Sequence, residues 1–165
     1  MSDSTADYIL WDFAGVDGLQ AAIALFSPAI SHISPFQSLT ANFSHQPCSV
    51  LRLCENNFRL ALPQTISGET AFEKAIADLN LKVWVKRCPA ATFIVPADLA
   101  LSRLPKIATT KPLYSLTPFP CDRAVPARIN GVAILAWHHL WYEQPRVYIQ
   151  TASANVNEIR KAFSL

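Results

Sequence analysis

The chain has 165 residues, 51% of them hydrophobic and 16% charged, with a net charge of +2. That charge content is well below the ~25% usual for a globular domain, and it excludes intrinsic disorder, which requires low hydrophobicity and high net charge. The four glycines, Gly15, Gly18, Gly68 and Gly131, are too scattered to build a glycine-rich phosphate loop.

The first residues, Met-Ser-Asp-Ser-Thr-Ala-Asp, are polar and acidic, unlike a secretory leader, and no apolar run approaches the ~20 residues of a membrane-spanning helix. A cytoplasmic protein that does not engage membranes is the expectation. In that compartment Cys48, Cys54, Cys88 and Cys121 read as reduced thiols packing as small hydrophobes.

Taken in chain order, Asp7–Phe13 is short and aromatic and predicts a strand. Asp17 then offers an N-cap with Gln20 in the capping-box position, and Leu19, Ala22, Ile23 and Phe26 follow at helical spacing as far as Ser27. Residues 28–47 read as a long, uncharged and therefore packed connection. Ser49–Cys54 and Phe58–Leu62 predict a hairpin around Glu55-Asn56-Asn57, asparagine being tolerant of the positive φ of tight turns. A helix from Gly68 to Leu79 follows, with Ser67 as cap, Glu69 at the positive end of its dipole, and Phe72, Ile76 and Leu79 as its apolar stripe.

Leu81–Lys86 alternates, placing Lys82, Trp84 and Lys86 on one face of a half-buried strand. Ala91–Val95 predicts another strand, and Ala97–Leu104 a short helix closed by Pro105. Five prolines between Pro105 and Pro126 predict a proline-rich arm or loop over 105–126, because proline lacks the amide donor of a sheet ladder. Val132–Trp141 and Arg146–Thr151 predict a second hairpin, with a helix over 132–142 as the rival reading. An amphipathic helix closes the chain, Asn155 and Glu158 forming a capping-box pattern and Val156, Ile159 and Phe163 facing the core. The whole predicts a single α+β domain, 1–165, with a largely antiparallel sheet built from hairpins and about three helices packed on it.

No motif selects a chemistry. Gly15-Val-Asp-Gly18 lacks the third glycine and the Lys-Ser/Thr pair of nucleotide loops, and there is no Gly-x-Ser-x-Gly elbow. His45, Cys48 and Cys54 do not have zinc-knuckle spacing; along a strand Cys48 and Cys54 would stand ~20 Å apart. Neither a metal, nor a cofactor, nor a catalytic set is therefore predicted. The strongest reactive-thiol candidate is Cys121, beside Arg123, whose charge would lower the thiol pKa. With His138 or His139 as base it would make a small Cys/His enzyme, and on a helix His139 and Glu143 would share a face.

Charge is the more informative pattern. Residues 1–80 carry three bases against eight acids, residues 81–128 eight against two, and residues 129–165 three against two. Lys82, Lys86, Arg87, Arg103, Lys106, Lys111, Arg123 and Arg128, followed by Trp137 and Trp141, form the candidate partner-binding set. An acidic protein partner or a further copy of the chain fits these bases and the sparsely charged remainder, because interface cores are depleted of charge. Single-stranded nucleic acid is the second partner class, through phosphate neutralisation and base stacking, although a pI of about 8.4 is below that of dedicated binders. The leading expectation is a non-enzymatic subunit, adaptor or inhibitor.

Overall fold

The computed structural model describes residues 8–64 and 70–165. Among the described residues ten strands pair into two five-stranded sheets, antiparallel at every pairing, with four α-helices, so the class is α+β as the sequence predicts. The strands are shared between two compact units, Met1–Cys88 and Pro89–Leu165.

In the N-terminal unit the sheet runs β2-β3-β4-β1-β5, with β1 Tyr8–Ala14, β2 Ser38–Phe43, β3 Gln46–Cys54, β4 Asn57–Pro63 and β5 Trp84–Arg87. Side chains alternate along a strand, so Trp11 and Phe13 of β1 and Phe58 and Leu60 of β4 share one face and pack with Phe72 of α2 (Thr70–Asp78). Phe13 stacks on Phe58 at 5.3 Å between centroids and meets Phe72 edge-on at 5.7 Å. This aromatic core replaces several aliphatic side chains by a few large, geometrically specific ones.

Helix α1 (Gly18–Leu25) begins where the β3–β4 turn comes down on it. A Cβ on Gly18 would lie 2.1 Å from the Asn56 carbonyl oxygen, so this position has room for glycine alone. Asn56 serves the turn through its side chain, Oδ1 accepting from the Leu19 amide at 3.2 Å. Asp17 does not cap α1 as predicted; its Oδ2 accepts from the Lys82 amide at 2.9 Å and ties the helix start to the approach to β5.

The long connection expected over residues 28–47 contains a 3₁₀ turn, Pro28–His32, and the whole of β2. Leu39, Ala41 and Phe43 face the core at period two, but serine, threonine and asparagine between them give the segment a loop-like composition. Arg52 fastens the stretch before β2, donating to the carbonyls of Ile33 and Glu55 at 2.8 and 2.9 Å. The predicted cap Ser67, with Gly68 and Glu69, lies outside the described residues, as does Asp7.

In the C-terminal unit the order is β6-β10-β9-β8-β7, with β6 Ala91–Pro96, β7 Ala108–Thr109, β8 Arg123–Ile129, β9 Val132–Trp141 and β10 Gln144–Thr151. Residues 132–141 are thus strand and Tyr142 opens the following turn, so the helical alternative fails. Helices α3 (Ala97–Ile107) and α4 (Val156–Ala162) place Ala100, Leu104 and Ile159 against Phe93, Val95, Val147 and Ile149 of the sheet. Phe163, just beyond α4, meets Phe93 edge-on at 6.0 Å.

Pro105 does not close α3; the helix runs through it to Ile107. Proline deprives the Leu101 carbonyl of its donor, but both residues are exposed, so water can take that place. The predicted proline-rich arm over 105–126 accordingly resolves into the last turn of α3, β7, a loop and the start of β8, where Pro126 lies. Asn155 precedes α4 without a side-chain cap bond. The C-terminal end of α4 is held instead by Arg103 of α3, whose Nη2 donates to the Ala162 carbonyl at 3.2 Å.

Candidate functional site

The predicted partner-binding residues fall on both units. Lys82, Lys86 and Arg87 belong to the N-terminal unit and gather on and before β5, which closes one edge of its sheet. Period-two alternation turns Lys82, Trp84 and Lys86 outward while Val83 and Val85 are half-buried. Lys86 Nζ lies 5.1 Å from the centroid of the Trp84 ring, and the Arg87 guanidinium 5.7 Å from that of Trp11. Trp84 is 47% exposed. This edge therefore presents a large aromatic ring with Lys82 and Lys86 on its own face, while Arg87 is turned to the other face, over Trp11.

Arg103, Lys106, Lys111, Arg123 and Arg128 belong to the C-terminal unit. Arg103 is turned inward to α4, also reaching Ser164 Oγ at 3.3 Å, which is a structural task. Lys106 and Arg123 are exposed on α3 and at the start of β8. Lys111 and Arg128 line a half-open cleft of about 460 Å³, together with Thr109, Thr110, Tyr114 and an apolar floor of Pro126 and Ala133, while Ala127 and Ile134 border it with side chains that belong to the core. Arg128 Nη1 donates to the Gly131 carbonyl at 2.7 Å.

Trp137 and Trp141 are not surface platforms: they are 0% and 2% exposed. On β9 they flank His139, which stacks on Trp137 at 4.1 Å and meets Tyr148 of β10 edge-on at 4.3 Å. Burial pushes the His139 pKa down to about 3, so the ring is a neutral part of an aromatic stack at ordinary pH.

Burial, then the negative charge of Asp122, push the Cys121 thiol up from its ordinary value; this is the opposite of the lowering expected from Arg123. His138 points to the other sheet face from His139, as strand geometry requires, with Nδ1 3.0 Å from the Phe119 carbonyl oxygen. None of the four cysteines is in a disulfide, and burial drives Cys48 up to about 12. Among the described residues no three His, Cys, Asp or Glu side chains come together in a metal-holding group, and no helix is long and apolar enough to cross a membrane.

Some features escape the sequence reading. Trp84 was legible as the partner of Lys82 and Lys86 on one strand face. Leu113, fully exposed, and Tyr114, at the mouth of the cleft, sit in a loop whose composition carries no periodicity to place them. A buried ion pair was also missed: Arg59 Nε and Nη2 donate to the two carboxylate oxygens of Asp12 at 2.7 and 2.9 Å, across paired positions of β1 and β4.

No family model matches the sequence, and no curated protein matches it. Solved structures do match the fold. The chain is similar to the glycine cleavage system aminomethyltransferase T from Bartonella henselae, with a TM-score of 0.71 and 10% identity, over 96% of this chain and 43% of that one. It spans less than half of that enzyme's length. It is also similar to a chain of the heterotetrameric sarcosine oxidase from Corynebacterium sp. U-96, solved in complex with pyrrole 2-carboxylate, with a TM-score of 0.63 and 16% identity, over 97% of this chain and 80% of that one. At these identities the likeness is one of fold.

Proposed function

We propose that this chain is a non-enzymatic subunit that docks on an acidic protein partner within a hetero-oligomeric assembly. The observation that carries the reading is the near chain-to-chain extent of the likeness to a component of a heterotetrameric enzyme, four-fifths of that chain being matched. A fold that spans most of one subunit is the size of a building block, and low charge content suits a protein part of whose surface is covered. The basic edge at β5 supplies the docking chemistry, with Trp84 as apolar anchor, Lys82 and Lys86 on its face, and Arg87 adding charge from the end of the same strand. Lysine on an edge strand discourages strand addition, so the contact is made by side chains rather than by extending the sheet.

The test is size-exclusion chromatography with light scattering on the chain purified from its native source at physiological salt. A particle well above 18.2 kDa containing a second polypeptide in fixed ratio is the expected result. A clean monomer without a partner overturns the reading.

A further inference from the structure

The cleft of the C-terminal unit has a composition that the docking proposal does not use. Its apolar side chains are Pro126 and Ala133, which form its floor, with Ala127 and Ile134 bordering it from the core, and it is further lined by Lys111, Arg128, Tyr114, Thr109 and Thr110. This lining is rigidly built. Thr109 pairs with Arg128 in the β7–β8 register. Thr110 Oγ1 donates to the Tyr114 carbonyl at 2.9 Å, and the Tyr114 amide to the Lys111 carbonyl at 3.2 Å, which folds the loop into a closed turn. No carboxylate lines the cleft.

Two cations facing one hollow repel each other, and without a lining acid the field there attracts an anion. Inorganic phosphate alone would leave the apolar floor uncovered, whereas the volume of about 460 Å³ lies within the ~300–1,000 Å³ of small-molecule sites. We infer that this cleft is a binding site for a small organic anion, a carboxylate or phosphate monoester on an apolar body, whose charged head lies between Lys111 and Arg128 and whose body covers Ala133 and Pro126.

Amide shifts in two-dimensional NMR, recorded on the full chain during titration with phenyl phosphate, test this. Saturable shifts are expected at residues 109–111, 113, 114, 128 and 133, with much smaller effects from benzyl alcohol, which lacks the charge, and from inorganic phosphate, which lacks the ring. Loss of one charge-assisted contact in Lys111→Gln should weaken binding about tenfold. Arg128→Gln could disturb the neighbouring turn, so Ala133→Leu serves as a second variant that fills the floor while keeping both cations, and it should also abolish saturation. Absence of saturable shifts, equal response to inorganic phosphate, or unchanged binding in both Lys111→Gln and Ala133→Leu overturns the inference.

Discussion

His139 shows how a single residue can be read differently in one and in three dimensions. As a member of a His-His pair it invites catalytic readings, yet its ring is fully buried between Trp137 and Tyr148. Its folded-state pKa of about 3 lies below the ordinary 6.5, so between those values the unfolded chain binds the extra proton. Stability from this group is complete above about pH 6.5 and is lost progressively as pH falls towards about 3. Urea unfolding should therefore show a loss of about 2 kcal/mol between pH 7 and pH 5 that His139→Phe does not share. Asp12 and Arg59 make a second residue-scale case. Burial pulls the Arg59 guanidinium down, but the hydrogen bond and charge of Asp12 outweigh it and the net shift is upward. Removing one partner leaves a charge at a site that is 6% exposed for Asp12, so Arg59→Met should cost about 3–5 kcal/mol in urea unfolding, whereas Asp12→Leu with Arg59→Met should cost much less.

At the scale of elements, three hairpins turn through two residues that both have positive φ: Ser44-His45 (50° and 65°), Asn130-Gly131 (50° and 80°) and Tyr142-Glu143 (47° and 63°). This is the pattern of type I′ turns, for which Asn-Gly is the favoured pair. Only the β8–β9 turn has it, and a Cβ at Gly131 would touch nothing within 4 Å, so there the demand is one of backbone conformation alone. Left-handed backbone costs an ordinary residue about 1–2 kcal/mol. Ser44→Asn with His45→Gly should accordingly raise the thermal midpoint, and Gly131→Ala should lower it; equal midpoints for the three proteins by differential scanning calorimetry would show that the turns carry no strain. The same elements show what was legible. The β3–β4 and β9–β10 hairpins and the alternation before and within β5 follow from period-two patterning, which is local. Strand β2 has that period too, but its polar outward face and flanking prolines resemble a loop, and its place beside β3 is a long-range pairing.

For the whole molecule, the boundary after Cys88 cuts the basic window seen in the sequence. Residues 1–88 carry six bases and eight acids, and residues 89–165 eight bases and four acids. The eight predicted cations are thus three at the β5 edge and five in the C-terminal unit, of which Arg103 is committed to α4. If the β5 edge meets an acidic partner, Lys86→Glu with Arg87→Glu should weaken the complex at least about tenfold and flatten its salt dependence. Lys106→Glu, on an exposed helix face of the other unit, should change it little. Binding constants measured at two ionic strengths separate these outcomes, and equal effects at the two positions would remove the β5 edge from the interface.

The amino-acid sequence alone determined the class, the antiparallel hairpins and the outward row Lys82, Trp84 and Lys86, because side-chain period and turn chemistry act over a few residues. Tertiary structure decided the division of the strands between two sheets, the inward turn of Arg103 and the burial of Trp137 and Trp141. It also brought Lys111, Tyr114 and Arg128 around one cleft. Those outcomes depend on which distant segments pair and in what register, and a shift of one residue in that register would exchange every buried side chain of a strand for an exposed one.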